Sequence, residues 1–121
     1  MKPWHLSLAL LPTLLLPACD SGESGDDEGA NVDCNTVTVP KFSEMTAWGK
    51  CTTCHSSTLT AMDRKAAPPG IDFDTYAAAK ANAQTAMDEV EEGAMPLAGY
   101  PELTADEKSQ IINWASCDTP N

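Results

Sequence analysis

The sequence predicts an all-α fold, a small domain of three main helices spanning residues 34 to 121 of the 121-residue chain. Three observations predict it. Apolar residues recur at helical spacing in three separate stretches. Residues that cap helices precede two of these stretches: Asp74 before the second, and the capping-box sequence Thr104-Ala105-Asp106-Glu107 before the third. The intervening segments carry Ala67-Pro68-Pro69-Gly70 and Gly93-Ala94-Met95-Pro96, whose prolines and glycines end helices. A chain of this length holds one small domain at most. Its 18 acidic and 7 basic residues give a net charge of −11, which repels phosphate backbones and argues against direct nucleic-acid binding. Five cysteines, an odd number, leave one thiol over in any simple disulfide framework.

At the N-terminus, Lys2 precedes an apolar run from Leu6 to Leu16 with seven leucines, too short for a membrane span. Residues 1–18 read as a signal peptide. Leu16-Pro17-Ala18-Cys19 resembles the lipobox of bacterial lipoproteins, whose cysteine is lipidated and becomes the mature N-terminus. The resemblance implies lipidation at Cys19 and anchoring to the inner or outer membrane, on the periplasmic side of a bacterial cell envelope. The competing reading is an ordinary secretory signal that leaves Cys19 a free thiol. Residues 19–33 follow as an acidic tether. Positions 20–33 hold six carboxylates and no basic residue, and bury too little apolar surface to offset the entropy of ordering. Such a segment reaches on the order of 50 Å extended and roughly 20 Å as a coil.

Within the domain, Pro40 to Thr53 carries Phe42, Met45 and Trp48 or Gly49 at helical spacing, predicting the first helix. Asp74 is the expected cap of a second, from about Thr75 to Glu91, with Tyr76, Ala79, Ala83, Ala86 or Met87, and Val90 on one stripe. The third, opened by the Thr104 box, presents Ile111, Trp114 and Ala115 before Cys117.

The chemistry is concentrated in Cys51-Thr52-Thr53-Cys54-His55, the C-x-x-C-H pattern of covalent c-type haem attachment. In that pattern two thiols three residues apart lie on one helical face and add to the porphyrin vinyl groups, and the adjacent histidine becomes an iron ligand. A thioredoxin-like redox pair would need a βαβ setting, and no β-branched run precedes Cys51. Structural zinc would need a fourth protein ligand, and the mature chain has neither a second C-x-x-C nor a second histidine. A plain Cys51–Cys54 disulfide is the simplest competitor.

With these residues in view, the segment from Phe42 onward resembles a class I cytochrome c domain, similar to the short monohaem domains of exported bacterial proteins. The likeness rests on a helix leading into Cys51-x-x-Cys54-His55, on Gly93-Ala94-Met95-Pro96, and on a final helix bearing an aromatic residue. It implies one covalent haem c among the helices, with His55 and Met95 as axial ligands. The residues themselves leave Met45, Met62, Met87 and Met95, or an open site, as candidates for the second ligand. Met45 and Met87 sit in helical stretches where packing is the expected role. Gly93 and Pro96 free the segment around Met95 from helical regularity. The resemblance further implies contact of the first and last helices through Trp48 or Gly49 against Trp114, and a proline carbonyl, Pro68 or Pro69, accepting from the ring of His55. Arg64 and Lys65 are expected to be solvated charges, with a haem propionate as the alternative partner. Close approach of the terminal helices in an oxidising compartment implies a Cys34–Cys117 disulfide.

The expected protein is a membrane-anchored, monomeric electron carrier and not an enzyme, whose redox protein partners dock through basic patches. The folded unit alone has 12 acidic and six basic residues, a charge of −6. Alternatives are a haem-based enzyme or a gas or peroxide sensor with labile Met95, and a structural lipoprotein without haem.

Overall fold

In the computed structural model, residues 31–121 are described, and among them four α-helices and one 3-10 turn follow in order with no strand. The predicted signal peptide, the lipidation site Cys19 and the tether up to Ala30 lie outside the described residues. Asp33, assigned to the tether, is part of a turn: its carbonyl accepts from Thr36 N (2.9 Å) and its Oδ1 from Asn35 N (3.0 Å). Among the described residues no helix is long and apolar enough to cross a membrane.

The stretch expected as one helix from Pro40 to Thr53 is broken. A 3-10 turn covers Phe42–Glu44, Met45 adopts extended geometry (φ −78°, ψ 109°), and α1 runs only over Trp48–Cys51. Burial explains the break. Met45, Ala47 and Trp48 all enter the core, and a continuous helix would turn Met45 and Ala47 to roughly opposite sides of its axis.

The second expected helix is divided too, into α2 (Tyr76–Ala81) and α3 (Ala83–Glu91). Asn82 separates them with φ −111° and ψ 14°, and its side-chain amide donates to the carbonyls of Gly70 (3.0 Å) and Ala78 (2.9 Å). One asparagine thus ties the helix to the preceding loop, a bond competing with helix propagation. The N-cap is Thr75, whose hydroxyl accepts from Ala78 N at 3.2 Å, not Asp74. The stripe holds from Ala79 on: Ala79, Ala83, Ala86, Met87 and Val90 are buried, and Tyr76 is half-buried against the same core.

α4 spans Ala105–Ser116 behind the expected capping box. Thr104 Oγ1 accepts from Glu107 N (3.2 Å) and Glu107 Oε2 accepts from Thr104 N (2.7 Å), satisfying donors that the first helical turn leaves without partners. α3 packs against α4. Ile111 and Trp114 are wholly buried, and Trp114 meets Trp48 edge-on, ring centroids 5.4 Å apart and planes at 79°. Of Trp48 and Gly49, it is Trp48 that packs on Trp114, while Lys50 of α1 pairs with Glu107 of α4. The Trp48 ring also stacks on Phe73, at 5.1 Å and 7°.

The chain end closes this aromatic cluster. Pro120 O accepts from Phe42 N (2.9 Å) and from Trp114 Nε1 (2.8 Å), and Thr119 O accepts from Tyr76 Oη (3.0 Å). Cys117 is joined to Cys34 in the expected disulfide, with Cα atoms 5.6 Å apart.

Candidate functional site

The backbone turn of α1 continues past its last residue. Thr52 N donates to Trp48 O (2.9 Å), Cys54 N to Cys51 O (3.2 Å) and His55 N to Cys51 O (2.9 Å), so Cys51, Cys54 and His55 lie within about one turn of the same spiral. Cys51 and Cys54 are free thiols, not bonded to each other. Burial pushes the Cys51 thiol up to about 11, with Glu107 adding to the shift, so at neutral pH it is protonated rather than a thiolate. Among the described residues no three His, Cys, Asp or Glu side chains are grouped to hold a bare metal ion.

His55 is fixed twice to one segment. Phe73 N donates to His55 O at 3.0 Å, and the ring nitrogen Nδ1 lies 2.9 Å from Ile71 O. A carbonyl only accepts, so Nδ1 carries the proton and Nε2 presents its lone pair. This corrects the expectation for the histidine's partner. The accepting carbonyl belongs to Ile71, whereas Pro68 O is taken by Arg64 Nη2 at 2.6 Å. Gly70, at φ +89°, follows the two prolines and lets the chain turn back toward His55.

Arg64 is the second correction. It is 5% exposed, not a solvated charge, and pairs with Asp72 Oδ1 at 2.6 Å. Its remaining donors reach four backbone carbonyls, those of Ser56 (2.7 Å), Ala67 (3.2 Å), Pro68 (2.6 Å) and Ile71 (3.2 Å). The guanidinium thus templates the 64–72 loop, in which Lys65 (φ 52°) and Ala66 (φ 71°) adopt left-handed geometry unfavourable for residues with a Cβ. Lys65 itself is exposed.

Asp74, displaced from its expected capping role, anchors the residues after His55. It accepts from Ser57 Oγ (2.7 Å), Ser57 N (3.1 Å) and Ser56 Oγ (3.1 Å), and these bonds, the Ser57 hydroxyl foremost, hold its carboxyl below the usual range.

These segments line a cavity of about 240 Å³. The loop and the C-x-x-C-H turn contribute Cys51, Cys54, His55, Ile71 and Phe73. α3 supplies Ala86 and Val90, α4 supplies Ile111, and the connection between them supplies Met95, Pro96, Leu97 and Tyr100. Met95 reaches the wall because Gly93, at φ +72°, ends the helix, after which Met95 N donates to Glu89 O at 3.0 Å. The other methionines among the described residues are placed elsewhere: Met45 and Met87 are core residues, and Met62 is 88% exposed.

The cavity therefore brings together Cys51, Cys54, His55 and Met95, but neither Pro69 nor the disulfide pair. It also recruits Ile71, Phe73 and, through Ile71, Arg64. A buried arginine in a short loop has no periodic signature; only the excess of carbonyls in a Pro-Pro-Gly turn hints at its donors. Comparisons with protein-family models, with curated proteins and with solved structures each returned no match.

Proposed function

We propose that this protein is a membrane-anchored electron carrier: a class I-like cytochrome c domain that holds one covalent haem c, with His55 and Met95 as axial ligands, on a lipidated tether at the bacterial envelope. One observation carries the reading. A single largely apolar cavity is lined by both thiols of C-x-x-C-H, by His55 with Nδ1 already engaged and Nε2 available, and by Met95 from a separate segment. This donor set fits haem: two thiols for thioether links, an imidazole with a fixed tautomer, and a soft thioether.

A haem bound there supplies a one-electron iron couple, whose potential a methionine ligand raises. Cys51 and Cys54 would hold it covalently. Burial keeps the Cys51 sulfur as a thiol, and addition of each S–H across a vinyl group would form a sulfur–carbon bond while its hydrogen passes to the neighbouring carbon. Val90, Leu103 and Ile111 give the cavity an apolar wall, and a medium of lower dielectric strengthens electrostatic interactions. The excess of carboxylates favours redox partners with basic docking patches.

The test is the spectrum of the purified full-length protein. Haem that survives denaturing electrophoresis and a far-red charge-transfer band in the ferric state are expected. Met95→Ala should abolish that band and lower the reduction potential. Wild-type protein without covalent haem would overturn the reading, and a band that persists in Met95→Ala would overturn the ligand assignment alone.

A further inference from the structure

The carbonyl of Ile71 accepts two bonds. His55 Nδ1 lies 2.9 Å from it and Arg64 Nη2 lies 3.2 Å from it. An oxygen with two lone pairs accommodates both donors, but each draws on the same electron density. The arginine is fixed as tightly as the histidine. Its other bonds, to Asp72 and to the carbonyls of Ser56, Ala67 and Pro68, range from 2.6 to 3.2 Å. A guanidinium does not deprotonate in a protein. A permanent cation is thus held one carbonyl away from the imidazole, in a region where Arg64 is 5% and Asp72 8% exposed.

We infer that Arg64 is a positioning residue that sets the reduction potential by competing with His55 for the Ile71 carbonyl, opposed by the Asp72 carboxylate. The inference rests on the proposed function. A carbonyl that accepts from Nδ1 alone pulls harder on its proton, leaves the imidazole richer in electrons, and makes it a better donor to oxidised iron. The Arg64 bond withdraws that density, and its charge disfavours a further positive charge nearby. Both effects favour the reduced state. Asp72, paired with Nη1 while Nη2 holds the Ile71 carbonyl, cancels part of the charge. The two residues therefore act with opposite sign, although they form one ion pair and stabilise one loop.

The test measures midpoint potentials of the haem-loaded, full-length wild type, Arg64→Gln, Arg64→Lys and Asp72→Asn. In Arg64→Gln the reduction equilibrium should move about tenfold toward the oxidised state, a downward shift of about 59 mV for one electron. Asp72→Asn should shift it upward, and Arg64→Lys, which keeps the charge, should recover most of the potential. Loss of loop packing alone would move Arg64→Gln and Asp72→Asn in the same direction. That result, or potentials that do not move, overturns the assignment. Should Arg64→Gln fail to accumulate, Asp72→Asn decides: an upward shift supports the role, and no shift or a downward one overturns it. Covalent haem in the wild type is scored first. Its absence overturns the proposed function and this role together, whereas haem present with potentials unmoved overturns the role of Arg64 only.

Discussion

Replacing both disulfide cysteines, Cys34→Ser with Cys117→Ser, removes a cross-link between positions 83 residues apart. In the chain-entropy treatment, a loop of that length restrains the unfolded chain by about 4.5 kcal/mol at 25 °C. Domains of this size are stable by roughly 5–15 kcal/mol in total, so the loss takes much of the margin. The folded state has further reason to feel it. Cys117 sits between α4 and the tail whose Thr119 and Pro120 carbonyls close over Tyr76, Trp114 and Phe42. The assay is urea unfolding of the full-length protein, followed by circular dichroism at helical wavelengths. The wild type with its disulfide reduced serves as a control that carries no mutation. The variant and the reduced wild type should coincide, both about 4–5 kcal/mol less stable than the oxidised protein, with an equal or larger dependence on urea as the unfolded chain expands. A loss below about 1 kcal/mol, or a reduced wild type that unfolds like the oxidised one, would refute the reasoning.

Two predictions concern the start of α4. Thr104→Ala removes the acceptor for Glu107 N and should cost about 1 kcal/mol in the same urea measurement, while Thr104→Ser should cost far less. Glu107 also sets an acid limit. Bonds from the Lys50 ammonium first, and from Thr104 N second, hold its carboxyl below the ordinary 4.5, so the folded state favours the carboxylate. That contribution is complete above about pH 4.5 and is lost as pH falls through the lower folded value; Asp74, lowered from 3.8 mainly by Ser57, adds the same trend further down. Thermal melts should fall below pH about 4.5, and less steeply in Lys50→Met; equal slopes in the two proteins would exclude Glu107 as the cause.

Local chemistry was legible in the amino-acid order. The capping box at Thr104, the buried stripe of α3 and the C-x-x-C-H turn each depend on residues within about one helical turn of one another, where covalent geometry fixes the neighbours. Elsewhere a local preference loses to a more distant competitor. Asp74 has the side chain of an N-cap, but Ser56 and Ser57 claim its carboxylate and leave the cap to Thr75. Asn82 sits within a helical pattern, but a bond to Gly70 stops propagation there.

The helical class, the placement of C-x-x-C-H at the end of α1 and the release of Met95 from helical geometry by Gly93 all follow from amino-acid order. Packing selects Ile71, not a proline, as the acceptor for His55, buries Arg64 against the same carbonyl, and collects His55 and Met95 on one cavity. Periodicity reports which residues share a face within a turn or two. Hydrogen bonds between loops are chosen among many carbonyls of nearly equal chemistry, and only the packed chain fixes which one lies within reach.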